Sequence, residues 1–257
     1  MRKLEGKVIL VAGGGGVGNE LARKYAAEGA KVVIGDNHPE RGEKTVAEIL
    51  ATGGTASTVP LDGTDEGTIA AAVAHAKAVY GGLDGMHANF AALSMAREDS
   101  DPVNISMAVY DKTMEVNARG FLLCTRHAVP AIVERGGGAI IYTSSIAAHV
   151  GDPILVAYAM SKAAVHALMR NVAKAYGPSG VRANVIAAGM IETPAWDAIP
   201  TEYRTAMENT GKARAAIKSR VARPQDIAAI GTMLMSDDGA YVTGQVLSVD
   251  GGTTMLP

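Results

Sequence analysis

The sequence has few cysteines, few aromatic residues and no long apolar run. Its one cysteine, Cys124, excludes an intrachain disulfide and argues against a secreted disulfide scaffold. Cys124 follows Phe121, Leu122 and Leu123, so we interpret it as a packed thiol. Aromatic residues make up only 4% of the 257 residues, whereas glycine occurs 30 times. This balance favours α/β layers with tight turns over a β-sandwich or a coiled coil.

A strong excess of one charge is also missing. The formal net charge is −2, and the basic residues are scattered singly. We therefore expect neither a nucleic-acid partner nor an anionic membrane surface as partner. No apolar stretch approaches the ~20 residues of a membrane span. The first residues do not have the layout of a signal peptide, so we expect a cytoplasmic protein.

A short apolar run followed by glycines predicts a phosphate-binding turn. Val8–Ala12 is typical of a central parallel strand that is buried on both faces. The glycines after it match G-x-G-x-x-G and precede residues with helical spacing, so amides and the helix dipole would face an anion. A glycine turn without a ligand is the alternative. The predicted cofactor-binding residues of this turn are Gly13, Gly15, Gly16, Val17 and Gly18.

An acidic residue ends the second predicted strand. Asp36 stands where a carboxylate accepts hydrogen bonds from a ribose 2′-hydroxyl and repels a 2′-phosphate. The glycine turn contains no Arg or Lys, and Asn37 follows Asp36, so NAD is favoured over NADP. Asp36 could instead be a solvated strand-end residue. Leu61 and Asp62, after the third predicted strand, are further cofactor candidates, although Asp62 could simply begin a turn.

Strand and helix patterns alternate along the chain without a break in composition. Helical spacing predicts helices over residues 40–52, 65–80 and 106–134, and apolar runs between the helical patterns predict strands. We expect one doubly wound, Rossmann-type α/β domain over residues 1–257. Its central parallel sheet should have about seven strands, with helices on both faces.

Tyr158 and Lys162 form the most informative pair in the second half of the chain. Residues four apart lie on one face of a helix, so the ammonium should lie beside the phenol. A free phenol titrates near ~10, and a nearby positive charge favours the phenolate. An ordinary amphipathic helix would produce the same spacing. Two other residues favour a functional interpretation of the Tyr158–Lys162 pair, because Ser145 ends a buried strand and Asn117 lies in the long predicted helix.

The order and spacing of these residues resemble a short-chain dehydrogenase/reductase over roughly residues 5–253. The resemblance implies that Tyr158 exchanges a proton with the substrate oxygen and that Ser145 binds the same oxygen. It also implies that Lys162 lowers the pKa of Tyr158 and holds the nicotinamide ribose, while Asn117 positions a water of a proton relay. The residues that carry the resemblance are Gly13, Asp36, Asp62, Asn89, Asn117, Ser145, Tyr158, Lys162, Gly189, Thr193 and the Asp250-Gly251-Gly252 tail.

Further cofactor contacts follow from the same resemblance. It implies contacts from Tyr158, Lys162, Asn89, Gly189, the Ile191 backbone and Thr193, although Thr193 could be only a helix cap. The chain also departs from the family pattern. Ala12 replaces a threonine, the glycine turn is one residue shorter, and Ala188 replaces a proline. Phe90 follows Asn89, where it can intrude on the cofactor or substrate space.

A lid and a substrate pocket are expected after Gly189. The resemblance implies a mobile lid over about residues 190–218. Apolar residues there and after Ser145 suit a neutral, hydrophobic alcohol or ketone, although they could simply pack the lid on the domain. The spacing of His, Cys and acidic residues predicts no metal site. The candidate substrate residues are Ser145, His149, Leu155, Tyr158, Met190 and Trp196.

The resemblance favours an NAD-dependent oxidoreductase that interconverts a secondary alcohol and a ketone, with Tyr158 as general acid/base. Two alternatives stay open. A 3-oxoacyl thioester reductase would need a basic patch, for which only the scattered Arg126, Arg135 and Lys174 are available. A dinucleotide sensor without catalysis would not need the full set of catalytic residues. The helices over 106–134 and 157–176 carry many alanines, and the resemblance implies that such helices pair between subunits, so we expect a homotetramer.

Overall fold

The central element is a seven-stranded parallel sheet. The computed structural model describes residues 2–255, so the predicted domain limits at 1 and 257 lie outside the described residues. The strands lie in the order β3-β2-β1-β4-β5-β6-β7. The predicted Rossmann-type fold is confirmed. The strands are β1 (Val8–Ala12), β2 (Lys31–Asp36), β3 (Thr55–Pro60), β4 (Gly85–Ala88), β5 (Gly138–Ser145), β6 (Val181–Ala188) and β7 (Val246–Val249).

Helices cover both faces of the sheet. In one apolar layer, α3, α5 and α6 pack against every second residue of the strands, such as Leu10 and Met86. The other packs α1, α2 and α8 against residues such as Ile9 and Val11. Because both faces are covered, all five residues of β1 are buried. The helices are α1 (Gly15–Ala27), α2 (Glu40–Ala51), α3 (Glu66–Tyr80), α4 (Met107–Met114), α5 (Gly120–Glu134), α6 (Val156–Tyr176), α7 (Thr201–Arg214) and α8 (Pro224–Met235).

The long helix predicted over residues 106–134 is interrupted. A π-helical turn, Glu115–Arg119, joins α4 to α5 and contains Asn117. Helical spacing continues across a π turn, because one extra residue in a turn does not remove the apolar side of the helix. Such turns are frequent at functional sites. The turn places Asn117 in the interior, where its side chain is fully buried.

The strand order reverses beside β1, and this reversal positions the candidate site. β1 lies between β2 and β4, so the connections after β1 and β4 leave in opposite directions. A crevice forms at the carboxyl ends of the strands at such a point. The register pairs Ala12 with Ala88 and Ser145 with Ala188. The residues that follow these strand ends therefore lie along one edge of the sheet.

The glycine turn after β1 depends on two glycines. Gly13 has φ +99°, a left-handed conformation that favours glycine. A Cβ on Gly18 would overlap the carbonyl oxygen of Gly13, so only glycine permits this approach of α1 to the turn. The helix begins at Gly15, and its first amides face the crevice edge.

The predicted lid region is helical and loosely packed. Residues 190–218 contain a short 3-10 helix, Pro194–Ala198, and α7, which buries none of its residues. Its function as a lid stays a prediction, as does the homotetramer. Among the helices between residues 2 and 255, none has the length and apolar content needed to cross a membrane.

Candidate active site

Ser145, Tyr158 and Lys162 meet at the carboxyl edge of the sheet. Ser145 is the last residue of β5, and the other two lie in the first two turns of α6. Burial raises the pKa of Tyr158, whereas a hydrogen bond from the side chain of Ser145 lowers it. The Nζ of Lys162 lies 5.8 Å from the centre of the Tyr158 ring. The three side chains therefore form the cluster that the sequence predicts.

Lys162 is almost fully buried and is held by strand β5. Its Nζ donates a hydrogen bond to the carbonyl oxygen of Thr143 at 2.9 Å and lies 4.9 Å above the centre of the Phe121 ring. Burial lowers the pKa of Lys162 to about 7, because the ammonium loses its hydration. The side chain of Ser145 lowers the pKa of Tyr158. The lowering expected from Lys162 stays a prediction.

Asn117 connects the π turn to α6. Its Oδ1 accepts a hydrogen bond from the amide of Ala92 at 2.8 Å. Its Nδ2 donates to the hydroxyl of Ser161 at 3.0 Å, and that hydroxyl donates to the carbonyl of Tyr158 at 2.7 Å. The amide therefore holds the first turn of α6 in place. Its predicted role in positioning a water stays a prediction.

Asp99 fixes the start of α6 and was not singled out from the sequence. It is buried, and its carboxylate accepts hydrogen bonds from the amides of Ala157 at 3.1 Å and Tyr158 at 2.8 Å. These amides belong to the first turn, where helical partners are missing and a negative charge is favourable. Leu155, a predicted substrate residue, precedes the helix with φ 65°. A capping acid is normally sought beside its helix, and Asp99 is distant in the sequence.

Asp36 lies beside the glycine turn, as the dinucleotide prediction requires. Its Oδ2 accepts a hydrogen bond from the amide of Gly14 at 2.7 Å, and its Oδ1 accepts from the amide of His38 at 2.8 Å. A Cβ on Gly14 would approach Oδ2 to 3.0 Å, so the turn and the carboxylate are fitted closely. The guanidinium of Arg41 lies 3.8 Å from Oδ1 at the protein surface.

A cavity of about 250 Å³ opens between the glycine turn and the ends of β2 and β3. Asp62 lies on its wall, and its Oδ1 accepts hydrogen bonds from the amide and hydroxyl of Thr64, both at 2.8 Å. Both readings of Asp62, turn and cofactor contact, are therefore compatible with its position. The cavity, glycine turn and helix N-terminus fit the adenosine half of a dinucleotide. Predicted cofactor residues on the cavity wall are Gly13, Asp36, Asn37, Leu61 and Asp62.

Phe90 forms part of the wall of this cavity. Its ring meets the ring of Phe121 edge-on, with 4.9 Å between their centres. A Cβ on Gly63 would lie 2.5 Å from the Phe90 ring, and one on Gly120 would lie 2.9 Å from it. Two glycines thus provide the space for the ring. Asn89, the residue before it, donates a hydrogen bond to the carbonyl of Gly13 at 3.3 Å.

The residues expected near the nicotinamide lie on the other side of the glycine turn. A Cβ on Gly16 would lie 2.9 Å from the side chain of Thr193, so Thr193 packs against the start of α1. Gly189 packs against Asp250, with its amide donating to the carbonyl of Val249 at 3.0 Å. Ile191 pairs with Ala222 in an isolated bridge. The structure therefore brings the predicted residues to one side of the crevice.

An apolar cavity of about 610 Å³ adjoins the residue after Ser145. Ile146 and Met190 lie on its wall, together with residues of α7, α8 and the C-terminal tail. Five of the six predicted substrate residues, Ser145 and Tyr158 among them, are not on that wall. His149 packs its ring against His166, with 4.9 Å between their centres, Trp196 is buried, and Leu155 precedes α6. Within residues 2–255, no three His, Cys, Asp or Glu side chains are placed to hold a metal ion.

Known proteins resemble this chain over nearly its full length. A family model described as enoyl-(acyl carrier protein) reductase matches residues 11–254. A probable short-chain type dehydrogenase/reductase of Bradyrhizobium diazoefficiens is 38% identical, over 98% of this chain and 89% of the relative. The (−)-isopiperitenol/(−)-carveol dehydrogenase of Mentha piperita is 37% identical, over 100% of this chain and 97% of the relative.

A solved structure has the same architecture. It is a 7α-hydroxysteroid dehydrogenase complexed with NADH and 7-oxo glycochenodeoxycholic acid. The TM-score is 0.88 at 31% sequence identity, and the match covers 97% of this chain and 95% of the other. The likeness therefore extends across the whole sheet and both helical layers.

Proposed function

Because this chain belongs to the short-chain dehydrogenase/reductase family, we propose that it interconverts a secondary alcohol and a ketone with NAD as cofactor. Action on CH–OH groups is common to the named dehydrogenases that it resembles. The observation that carries the proposal is the meeting of Ser145, Tyr158 and Lys162 beside the crevice. Proton transfer and dinucleotide binding would then occur at one edge of the sheet.

Tyr158 is the proposed general acid and base. In reduction its hydroxyl donates a proton to the carbonyl oxygen, and in oxidation its phenolate accepts the alcohol proton. The side chain of Ser145 lowers the pKa of Tyr158, and its proposed role is to bind the same substrate oxygen and fix its direction. The bound nicotinamide supplies the exchange of hydride with the substrate carbon.

The proposed role of Lys162 is to lower the pKa of Tyr158. Its pKa of about 7 lets it gain or lose a proton near neutral pH, with Nζ held on the Thr143 carbonyl. When protonated, Lys162 favours the phenolate of Tyr158, because an opposite charge nearby stabilises it. The same ammonium is the proposed partner of the nicotinamide ribose, with Asn117 holding the helix that carries both residues.

NAD is proposed over NADP because of the position of Asp36. Its carboxylate is buried and is held by two backbone amides at the end of β2. A ribose hydroxyl can donate to a carboxylate there, whereas a 2′-phosphate would be repelled. Arg41 is the one cation close to Asp36 among the ion pairs of the described residues, so NADP affinity must be measured beside that of NAD.

The proposed substrate is a neutral, largely apolar cyclic alcohol or ketone. The adjoining cavity has the volume of a small-molecule site and apolar residues such as Ile146, Met190 and Val221. Both arginines on its wall are paired with acids, since Arg220 donates to both carboxylate oxygens of Asp226 at 2.6 and 2.9 Å and Arg214 lies 3.8 Å from Asp152. Carveol and steroid dehydrogenases among the similar proteins support this substrate class.

Reduction of the 3-oxo group of an acyl thioester is the second candidate, and the acyl-carrier-protein substrate in the description of the matching family model favours it. The basic residues considered for carrier binding are not gathered at the crevice. Arg126 lies 3.4 Å from Glu66, and Arg135 lies 3.1 Å from Asp84, which precedes β4 at the opposite edge of the sheet. These pairs weaken the thioester candidate, and the assay below separates the two.

The test compares the unsubstituted protein with Tyr158→Phe and Tyr176→Phe. Tyr176 is an exposed residue of the same helix, so its variant is the matched control. NADH consumption is followed with cyclic ketones and with 3-oxoacyl thioesters of N-acetylcysteamine. We expect turnover of ketones to fall about 10²- to 10⁴-fold in Tyr158→Phe only, because one proton-transfer group is lost.

Three results would contradict the proposal or its parts. Equal turnover by Tyr158→Phe and the unsubstituted protein would remove Tyr158 from the chemistry. Turnover of thioesters alone would favour the second candidate. NADH binding without turnover of either class would favour a dinucleotide sensor.

We also propose that the protein forms a homotetramer, which the exposed apolar residues Leu122 of α5 and Met160 of α6 support. Light scattering after gel filtration tests this proposal.

A further inference from the structure

A line of polar side chains crosses the interior of the protein. The hydroxyl of Tyr25 lies 2.8 Å from Nδ1 of His87, and Nε2 of His87 lies 2.9 Å from Oγ1 of Thr143. Oγ1 of Thr143 lies 2.9 Å from Oδ1 of Asn89, whose Nδ2 reaches the carbonyl of Gly13 at 3.3 Å. The line therefore begins in the last turn of α1 and ends in the glycine turn.

The direction of every hydrogen bond in the line follows from its last group, the carbonyl of Gly13. The carbonyl of Gly13 can only accept, so Nδ2 of Asn89 faces it and Oδ1 faces Thr143. Thr143 therefore donates to Asn89 and accepts from Nε2–H of His87. Burial lowers the pKa of His87 to about 3, so the ring is neutral and its Nδ1 is an acceptor. Tyr25 must then donate, and each group donates toward the glycine turn.

Packing around the line preserves it. Tyr25 and His87 have 0% exposed surface, on the layer between the sheet and helices α1 and α8. A Cβ on Gly231 of α8 would overlap the Tyr25 hydroxyl, so a glycine gives that hydroxyl its space. Buried polar groups are costly unless all are bonded, and an apolar pair could fill the same volume. A role beyond packing is therefore indicated.

Thr143 joins the line to the catalytic lysine. Its hydroxyl lies on the α1 face of the sheet, while its carbonyl accepts the hydrogen bond from Lys162 of α6 on the opposite face. Tyr142, the residue before it, makes a comparable buried bond at 2.7 Å to Oγ1 of Thr125, outside the line. The two neighbouring residues therefore allow a matched comparison.

We propose that Tyr25, His87 and Thr143 are positioning residues for the cofactor. Their one-directional hydrogen bonds fix the Asn89 amide, which holds the Gly13 peptide in the conformation that binds the dinucleotide phosphates. The inference rests on the proposed function, because it requires a dinucleotide at the glycine turn. If Tyr25 no longer donates, His87 can place its proton on Nδ1. Thr143 then donates to Nε2, and Oδ1 of Asn89 loses its donor.

The first experiment measures the Kd of NADH by fluorescence titration. Thr143→Val removes the hydroxyl and keeps the carbonyl, and we expect the Kd to rise about tenfold, the effect of one lost buried hydrogen bond. Tyr25→Phe should raise it about three- to tenfold by the same reasoning. Thr143→Ser should restore an affinity close to that of the unsubstituted protein. Tyr142→Phe should lower the melting temperature without changing the Kd.

The second experiment identifies the tautomer of His87 by nitrogen-15 NMR, and it needs no cofactor. We expect a neutral Nε2–H ring in the unsubstituted protein and an Nδ1–H population in Tyr25→Phe. An Nδ1–H ring in the unsubstituted protein would overturn the inference. An unchanged Kd of NADH in both Thr143→Val and Tyr142→Phe would also overturn the inference.

The outcomes also separate this inference from the function it rests on. Normal NADH binding by the unsubstituted protein, with equal affinity in all variants, would refute the positioning role and leave the proposed function intact. Absence of NADH binding by the unsubstituted protein would overturn both. A combined effect of Tyr25→Phe and Thr143→Val no larger than that of Thr143→Val alone would support one continuous line.

Discussion

Replacing Lys162 with methionine should make the protein more stable at neutral pH while it abolishes turnover. Methionine has a similar length and no charge, and Lys162 is buried with 2% of its surface exposed. Burial lowers its pKa from 10.5 to about 7. At about 1.36 kcal/mol per pKa unit, keeping this lysine buried costs at most about 5 kcal/mol near pH 7 and below.

The hydrogen bond to Thr143 reduces the expected gain. Losing a buried hydrogen bond costs about 1 kcal/mol, so the net stabilisation by Lys162→Met should be about 4 kcal/mol at pH 6.5. The sign follows from proton binding. Between pH 7 and 10.5 the unfolded lysine holds a proton that the folded one does not, so the unsubstituted protein gains stability as pH rises. The advantage of the variant therefore disappears toward pH 10.

Urea denaturation at pH 6.5, 8 and 9.5 measures this difference, and titrations of other groups cancel because both proteins share them. Lys174→Met is the matched control, because Lys174 is an exposed lysine of the same helix and should leave the profile unchanged. The reasoning fails if Lys162→Met is no more stable than the unsubstituted protein at pH 6.5. It also fails if the difference stays constant across the three pH values.

Three further substitutions address the cofactor, the catalytic helix and the cavity wall. Asp36→Ser should raise the NADP-to-NAD ratio of kcat/KM at least about tenfold in steady-state assays, because a 2′-phosphate is no longer repelled. Asp99→Ala should cost about 1–2 kcal/mol in urea denaturation and lower kcat with an unchanged Kd of NADH, because Tyr158 loses its fixed amide, and Asp99→Asn should rescue part of both. Gly120→Ala should cost about 1–3 kcal/mol in thermal melts, because a Cβ would lie 2.6 Å from the carbonyl oxygen of Gly63 and 2.9 Å from the Phe90 ring, and Phe90→Ala should relieve only the second contact.

The periodicity of apolar residues predicted the architecture, because it marks the residues that form the two layers of the core. Continuous apolar runs such as Val8–Ala12 belong to strands covered on both faces, and helical spacing identifies the segments between them. The π turn at Asn117 escaped this reasoning, since one additional residue per turn leaves no change in composition. The cluster of Ser145, Tyr158 and Lys162 was predictable from the family resemblance, and the structure brings the three together because they lie on the consecutive elements β5 and α6.

Contacts between distant segments could not be predicted. Asp99 binds the first turn of α6 from a separate loop, and no local pattern connects the two. The low pKa of Lys162 could not be predicted either, because spacing places the residue near Tyr158 but does not give its burial. Phe90 reads as an intrusion until Gly63 and Gly120 are seen to provide space for its ring.

The anchoring of Tyr158 by Asp99 bears on how relatives of this protein can be recombined. The tyrosine is aligned by a carboxylate from the loop between β4 and α4, so a transplanted α6 would arrive without its anchor. That loop and α6 should therefore be exchanged between homologues as one cassette. The segment over residues 190–218, the predicted lid, lies outside the pair, and we expect that swapping it alone alters substrate preference.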